Sequence, residues 1–185
     1  MTEAQFTPAS GWCPHPEHWH ASDAQATEHE VTALVGALTV ALQPELVIET
    51  GTHTAQTAAA IGGALASNGH GRLITCETDR ALADRAAYML GQLPVQVLCG
   101  HSLDVLPPVL AGAGDVGLCW LDSSAQARRS ELVLLRRYLA PGAVIGVHDT
   151  RPGRPPARAL AQPWLTVLTL RTPRGVSFAQ ITEGK

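Results

Sequence analysis

The sequence predicts an α/β fold built on a mostly parallel sheet that closes with an antiparallel hairpin, and three observations carry this prediction. From Pro44 onward, short β-branched runs alternate with helix-compatible stretches, the pattern of parallel strands joined by crossover helices. Residues 47–57 read VIETGTHTAQT, an apolar β-prone run that ends in an acid and a glycine and gives way to an alanine-rich helix. After Arg151, two β-prone runs, 164–171 and 176–181, flank a Pro and Gly turn and read as a hairpin.

Taken in order, residues 1–22 are irregular and rich in Pro, His and Trp, and are expected to form an arm or lid ahead of a single domain spanning 23–185. Residues 23–42 carry apolar positions at helical spacing behind Ser22 or Asp23, which predicts a capped lead-in helix outside the sheet. The first strand covers 46–49, and Gly51 after it allows a sharp turn and close approach of a ligand where a Cβ would collide. A helix over 57–65 follows. Strands are then expected at 72–77, 95–99, 116–121 and 143–147, with Asn68-Gly69-His70-Gly71 and Pro141-Gly142 as punctuating turns.

Composition narrows the partners. A chain of 185 residues fits one domain with a substantial core. Its formal charge of −3, with 16% charged residues, provides no broad basic field for nucleic acid or an anionic membrane surface. No apolar run is long enough to span a bilayer, and the polar N-terminus lacks the basic and apolar regions of a signal peptide. The expectation is a cytoplasmic protein with a small-molecule partner, with a homodimer left open. Cys76, Cys99 and Cys119 fall in predicted strands and Cys13 in the arm, without the spacing of a disulfide framework, so reduced thiols are expected.

In open α/β sheets ligands bind beyond the carboxyl ends of the strands, so the residues ending each strand form a set of candidates. Glu49, Gly51, Thr52 and His53 follow strand one, Glu77 ends strand two, Ser102 follows strand three, Asp122 ends strand four, and His148 and Asp149 end strand five. A dinucleotide fingerprint requires G-x-G-x-x-G, but His53 and Gln56 stand where the second and third glycines would face a pyrophosphate. A ligand with an amino-acid tail and no phosphate suits this loop better, with Glu49 as an acceptor for its ammonium. Glu77 is placed to accept hydrogen bonds from ribose hydroxyls, or to end a strand in solvent while Asp79 caps the next helix. Ser102 either contacts a base or caps a helix. Asp122 and Asp149 end neighbouring strands, where two carboxylates repel unless a cation or proton lies between them.

The E-x-G turn at Glu49–Gly51 resembles the signature of class I S-adenosylmethionine-dependent methyltransferases, with Ala55 where the final glycine usually stands. The phrase PGAVIGVHDT over 141–150 resembles the ending of a branch that includes catechol-type O-methyltransferases and the cephalosporin-hydroxylase-like group, a methyltransferase family 24-like pattern. The resemblance covers about residues 30–181. It implies a Rossmann-like seven-stranded methyltransferase sheet, mostly parallel with an antiparallel C-terminal hairpin. It also implies S-adenosyl-L-methionine as cofactor, held by Glu49, Gly51, Thr52, His53, Glu77, Ser102 and Asp122. Methylation of a small hydroxylated acceptor would involve His148 and Asp149, with Asp122 and Asp149 holding Mg²⁺ or another divalent cation.

The chain departs from that pattern where catechol-type enzymes carry a lysine base, since the matching residues are Ser123, Ser124 and Ala125. His148 then reads as base, metal ligand, substrate contact or a structural histidine. An NAD-dependent oxidoreductase and a noncatalytic cofactor-binding or partner protein remain the alternatives. In the arm, Cys13, His15, His18 and His20 have zinc-binding side chains, but Pro14 and Pro16 keep the segment extended and its spacing matches no knuckle, so a lid is expected. Trp12 and Trp19 would cover a ligand ring or anchor that arm. Arg151, Arg154 and Arg158 would bind an acidic substrate group or form a solvated basic loop.

Overall fold

The computed structural model describes Phe6 and residues 9–181. The remaining parts of the expected 1–22 arm and of the 23–185 domain lie outside the described residues.

Seven strands form one sheet in the order β3-β2-β1-β4-β5-β7-β6. They are β1 (Leu46–Thr50), β2 (Arg72–Glu77), β3 (Val95–Cys99), β4 (Val116–Leu121), β5 (Leu139–His148), β6 (Leu165–Leu170) and β7 (Val176–Ile181). The first five pair in parallel, whereas β7 runs antiparallel to both β5 and β6. This is the Rossmann-like methyltransferase sheet. Strand alternation divides the core between its two faces. Val47, Leu118, Trp120 and Val144 pack under Val31 and Val35 of α1 (His29–Leu42), under α2 (Gln56–Asn68) and under Ala86 and Leu90 of α3 (Arg80–Leu90). Leu46, Ile48, Cys119, Leu121, Ile145 and Val147 face Leu106 and Leu110 of α4 (Ser102–Leu110) and Leu132 and Leu135 of α5 (Arg128–Leu135). Among the described residues no helix is long and apolar enough to cross a membrane.

Two elements differ from expectation, and both differences shape the site. The lead-in helix starts at His29, after Glu28, and neither Ser22 nor Asp23 caps it. Asp23 instead accepts from the backbone N–H groups of Gln25 and Ala26 at 2.7 and 2.8 Å, closing a local turn. Residues 23–28 therefore stay extended or turned, because Glu28 is drawn into the interior by partners described below. The Pro141-Gly142 turn lies inside β5, where the register against β4 jumps from Val116↔Leu139 to Leu118↔Val144. Gly142 takes φ +78°, a backbone conformation that favours glycine at such a bulge.

The crossing of β4 and β5 is tightly filled. A Cβ on Gly146 would lie 2.6 Å from Cε3 of the fully buried Trp120, whose ring centroid is 6.0 Å from that of His148. Gly146→Ala should therefore lower unfolding stability by about 1–3 kcal/mol through overpacking. Urea denaturation checks this, and an unchanged midpoint would show that the tryptophan has room to move.

Candidate functional site

The chain order reverses between β1 and β4, the place where an open α/β sheet leaves a crevice at its carboxyl edge. A cavity of about 440 Å³ lies there, within the range of small-molecule sites. Its lining includes the loop after β1, Glu77, the 100–102 turn after β3, Asp122 to Ala125, Asp149 and the extended segment 25–27.

The loop after β1 is a strained, hydrogen-bonded cradle. Gly51, His53 and Ala55 adopt φ of +87°, +46° and +65°. Ala55 thus takes a left-handed conformation that costs an L-residue about 1–2 kcal/mol, at the position where the family pattern has glycine. The backbone N–H of His53 donates to Glu77 Oε2 at 2.8 Å, and those of Gly51 and Thr52 donate to the Cys76 carbonyl. Gly51 is required by its own neighbour strand, since a Cβ there would lie 2.5 Å from the Asp122 carbonyl oxygen. That contact adds a structural reason for glycine here beside the ligand approach expected of it.

Glu49 is also displaced from its expected role. It is fully buried, does not line the cavity, and accepts from Thr75 Oγ1 at 2.5 Å, while Thr75 and Thr52 share a hydroxyl contact of 2.6 Å. Burial is the main cause that pushes its carboxyl up to about 8, with Asp122 and Glu77 adding to the rise against the Thr75 hydrogen bond. Glu49 is a neutral acid beneath the loop at neutral pH, so it supports Thr52 from below and offers no charge to an ammonium. Glu77 does line the cavity, 8% exposed, and also accepts from the Asp79 N–H at 3.0 Å. Asp79 in turn caps α3 through Leu82 N–H.

At β4 and β5, the structure brings the predicted acids together and adds residues that sequence reasoning passed over. Arg128, the first residue of α5, is 3% exposed and extends Nη2 between two carboxylates, 2.9 Å from Asp122 Oδ1 and 3.2 Å from Asp149 Oδ2. It also donates to the backbone carbonyls of Ser123 and His148. From the hairpin turn, Arg174 donates through Nε to Asp149 Oδ1 at 2.8 Å and through Nη1 to the Ala26 carbonyl at 2.9 Å, fastening the 23–28 segment over the site. Asp122 Oδ2 accepts from Thr27 Oγ1 at 2.7 Å.

His148 does not face the cavity. It is completely buried, with Nδ1 3.0 Å from Asp122 Oδ1 and Nε2 2.6 Å from Glu28 Oε2. Burial opposes its charge, yet Asp122 and Glu28 outweigh that penalty and raise the imidazole to about 9. As an imidazolium donating from both nitrogens, it orders the site from beneath, which replaces the expectation of a base or metal ligand facing an acceptor. Glu28 also accepts from Thr172 Oγ1 and the Arg174 N–H. Asp149 holds φ +60° and lines the cavity. Although burial works against its charge, the hydrogen bond from Arg174 and the nearby His148 and Arg128 charges bring it down to about 2.

A second missed acid is Glu131, fully buried, which accepts from the hydroxyls of Thr50, Ser102 and Ser123 and so ties β1, α4 and the β4 loop together. Ser102 is consequently engaged by Glu131. Arg128, Glu131, Leu132 and Leu135 form the buried face of α5, so an arginine and a glutamate at core positions of that helix were the legible signal. The basic loop after β5 contributes less: Arg154 lies 4.0 Å from Asp149 with its side chain 58% exposed, and Arg158 is exposed. In the arm, His15, Glu17 and His18 come together on the surface, Cys13 is buried apart from them, and His20 pairs with Glu30. Trp12 donates its indole N–H to the Thr172 carbonyl and Trp19 packs on the core, so both anchor the arm. The four cysteines are free, and burial pushes the Cys76 and Cys119 thiols up, as expected of unreactive core groups.

Comparison with known proteins gives a consistent picture. A family model described as a methyltransferase domain matches residues 48–150. No curated protein matches the chain. An O-methyltransferase, TomG, from Streptomyces achromogenes, solved in complex with SAM, superposes with a TM-score of 0.73 at 22% identity over 86% of this chain and 82% of its own. An O-methyltransferase from Bacillus cereus in complex with SAH superposes with a TM-score of 0.73 at 18% identity, over 86% and 84%. At these identities the likeness concerns the fold.

The two raised pKa values fix the sign of the alkaline response. Glu49 and His148 stabilise the fold when protonated, so their own contribution is complete below the ordinary carboxyl and imidazole ranges, falls as pH rises above them, and is gone once pH has passed about 8 and about 9. Asp149 acts oppositely, and its contribution is lost only as pH falls through about 2. The melting temperature should decline from neutral pH towards pH 9, and Glu49→Gln should remove part of that decline. A flat profile in the unsubstituted protein would contradict this assignment.

Proposed function

Because the chain belongs to the methyltransferase domain family, we propose that it is an S-adenosylmethionine-dependent methyltransferase that methylates a hydroxyl group of a small metabolite. The observation that carries this reading is the cavity at the β1/β4 reversal, cradled by the Gly51–His53 loop and bordered by the Glu77 carboxylate. Glu77 already accepts from His53, Thr78 and Asp79, and a carboxylate has about four acceptor positions, so capacity remains for a ribose hydroxyl. His53 also lines the cavity, and its Nδ1 is buried without a hydrogen-bond partner. Gly51, Thr52, His53, Glu77 and the Gly100–Ser102 turn would hold the cofactor, which when bound supplies a methyl group activated by a sulfonium.

On the acceptor side, the residues orient and polarise. Asp149 is held too acidic by Arg174, Arg128 and His148 to take a proton, so its role is to position the two guanidiniums beside the cavity. His148 acts through Asp122 and Glu28 as a positioning residue. The acceptor proton then leaves to water. A noncatalytic cofactor-binding role has one observation in its favour, the absence of a poised base at His148 and Asp149. The oxidoreductase alternative is opposed by His53 and Gln56 in the loop.

S-adenosylhomocysteine should bind in calorimetric titration and NAD should not. Glu77→Ala should weaken that binding by roughly 1–3 kcal/mol through loss of charge-assisted hydrogen bonds. A response to NAD alone would reject the proposal. Cofactor binding without transfer to any hydroxylated acceptor would select the noncatalytic role. Asp149→Asn should reduce turnover far more than cofactor affinity, measured as separate effects on kcat and on the S-adenosylhomocysteine Kd.

A further inference from the structure

Asp122, His148 and Asp149 each present a ligand atom within 4.8 Å of the others, the arrangement that would hold a divalent cation. The donor chemistry does not fit one. Asp122 Oδ1 accepts from Arg128 and His148, and Oδ2 accepts from Thr27. Both oxygens of Asp149 accept from Arg174, and Oδ2 also accepts from Arg128. Both nitrogens of His148 point at carboxylates, leaving no lone pair directed at an ion. A hard cation of the Mg²⁺ type takes oxygen donors in near-octahedral geometry and keeps several waters, whereas each of these oxygens already accepts from at least one N–H or O–H group, most of them on cationic side chains.

From this geometry we infer that Arg128 is a built-in cation that occupies the place between Asp122 and Asp149 where a divalent ion would bind, so this site excludes the metal. Nη2 bridges the two carboxylates, while the Ser123 and His148 carbonyls anchor the rest of the guanidinium, so the charge is fixed in place rather than swung in from solvent. A second fixed charge, Arg174, stands on the far side of Asp149. Bringing a doubly charged ion alongside two guanidiniums adds repulsion that an exposed carboxylate pair would not impose. The helix dipole opposes a cation at the first residue of α5, so the carboxylates must outweigh that penalty as well. The exclusion stands on side-chain geometry. Its meaning for catalysis, a methyl-transfer centre whose acceptor side is charged by arginine, rests on the function proposed above.

The test is Mn²⁺ titration of the full chain, read by the loss of the free-ion electron paramagnetic resonance signal. The unsubstituted protein should leave that signal unchanged. Arg128→Ala should gain Mn²⁺ affinity by roughly tenfold or more, as two carboxylates lose the cation between them. Asp149→Asn in that background should abolish the gain. Uptake of one ion per unsubstituted chain, removed by Asp149→Asn, would overturn the inference, and so would a folded Arg128→Ala chain that takes up none. If Arg128→Ala fails to fold, the unsubstituted protein and its Asp149→Asn counterpart still decide the matter. S-adenosylhomocysteine binding measured on the same samples separates the outcomes, since failure of the proposed cofactor leaves the Mn²⁺ result standing.

Discussion

The buried charge network at the ends of β4 and β5 is the constraint on which the rest of this molecule depends. Glu28, Asp122 and Asp149 carry negative charge there, and Arg128, Arg174 and the His148 imidazolium balance it. Desolvating such groups is expensive, and breaking one pair of this kind costs about 3–5 kcal/mol because its partner is left uncompensated. The network therefore enforces geometry more than it adds stability. It draws Glu28 inward, which delays the start of α1 and lays residues 25–27 along the cavity. It also fixes Asp149 in a left-handed conformation between two arginines.

The two halves of the cavity consequently have different electrostatic characters. Around β1 and β2, Gly51 and Thr52 give the cavity a neutral wall, Thr75 links Thr52 to the protonated Glu49 beneath it, and Glu77 supplies the carboxylate at the cavity edge. Around β4 and β5, Arg128 and the two acids face one another with almost no solvent, and Arg174 closes the outer side of Asp149. Glu131 joins the halves through hydroxyls from β1, α4 and the β4 loop. Such a division suits a reaction in which one substrate is held by shape and hydrogen bonds while the other meets a preorganised field.

The sheet was legible because its signals are local. β-Branched apolar runs and turn residues placed 72–77, 95–99, 116–121 and 176–181 at their observed bounds. The strand-end rule then selected Gly51, Glu77, Asp122 and Asp149 as cavity residues. Long-range pairing was not legible. Nothing near Glu28 announces a partner 120 positions later, and nothing near Arg174 announces Asp149. Glu49 and His148 were assigned to the ligand because acids and imidazoles at strand ends commonly face it, whereas depth within the sheet decided otherwise. Arg128 was passed over because a basic residue at a helix start normally reads as solvated. Only its place on the same face as Leu132 and Leu135 marked it as buried.

The protonation state of His148 reports most directly on whether this network exists as described. Nitrogen-15 spectra of the imidazole, assigned by comparison with His148→Gln, should show protons on both ring nitrogens at neutral pH, with deprotonation only near pH 9. A neutral tautomer at pH 7 would mean that Asp122 and Glu28 do not hold a charge between them, and would contradict the closed, protein-supplied charge balance at the centre of this account.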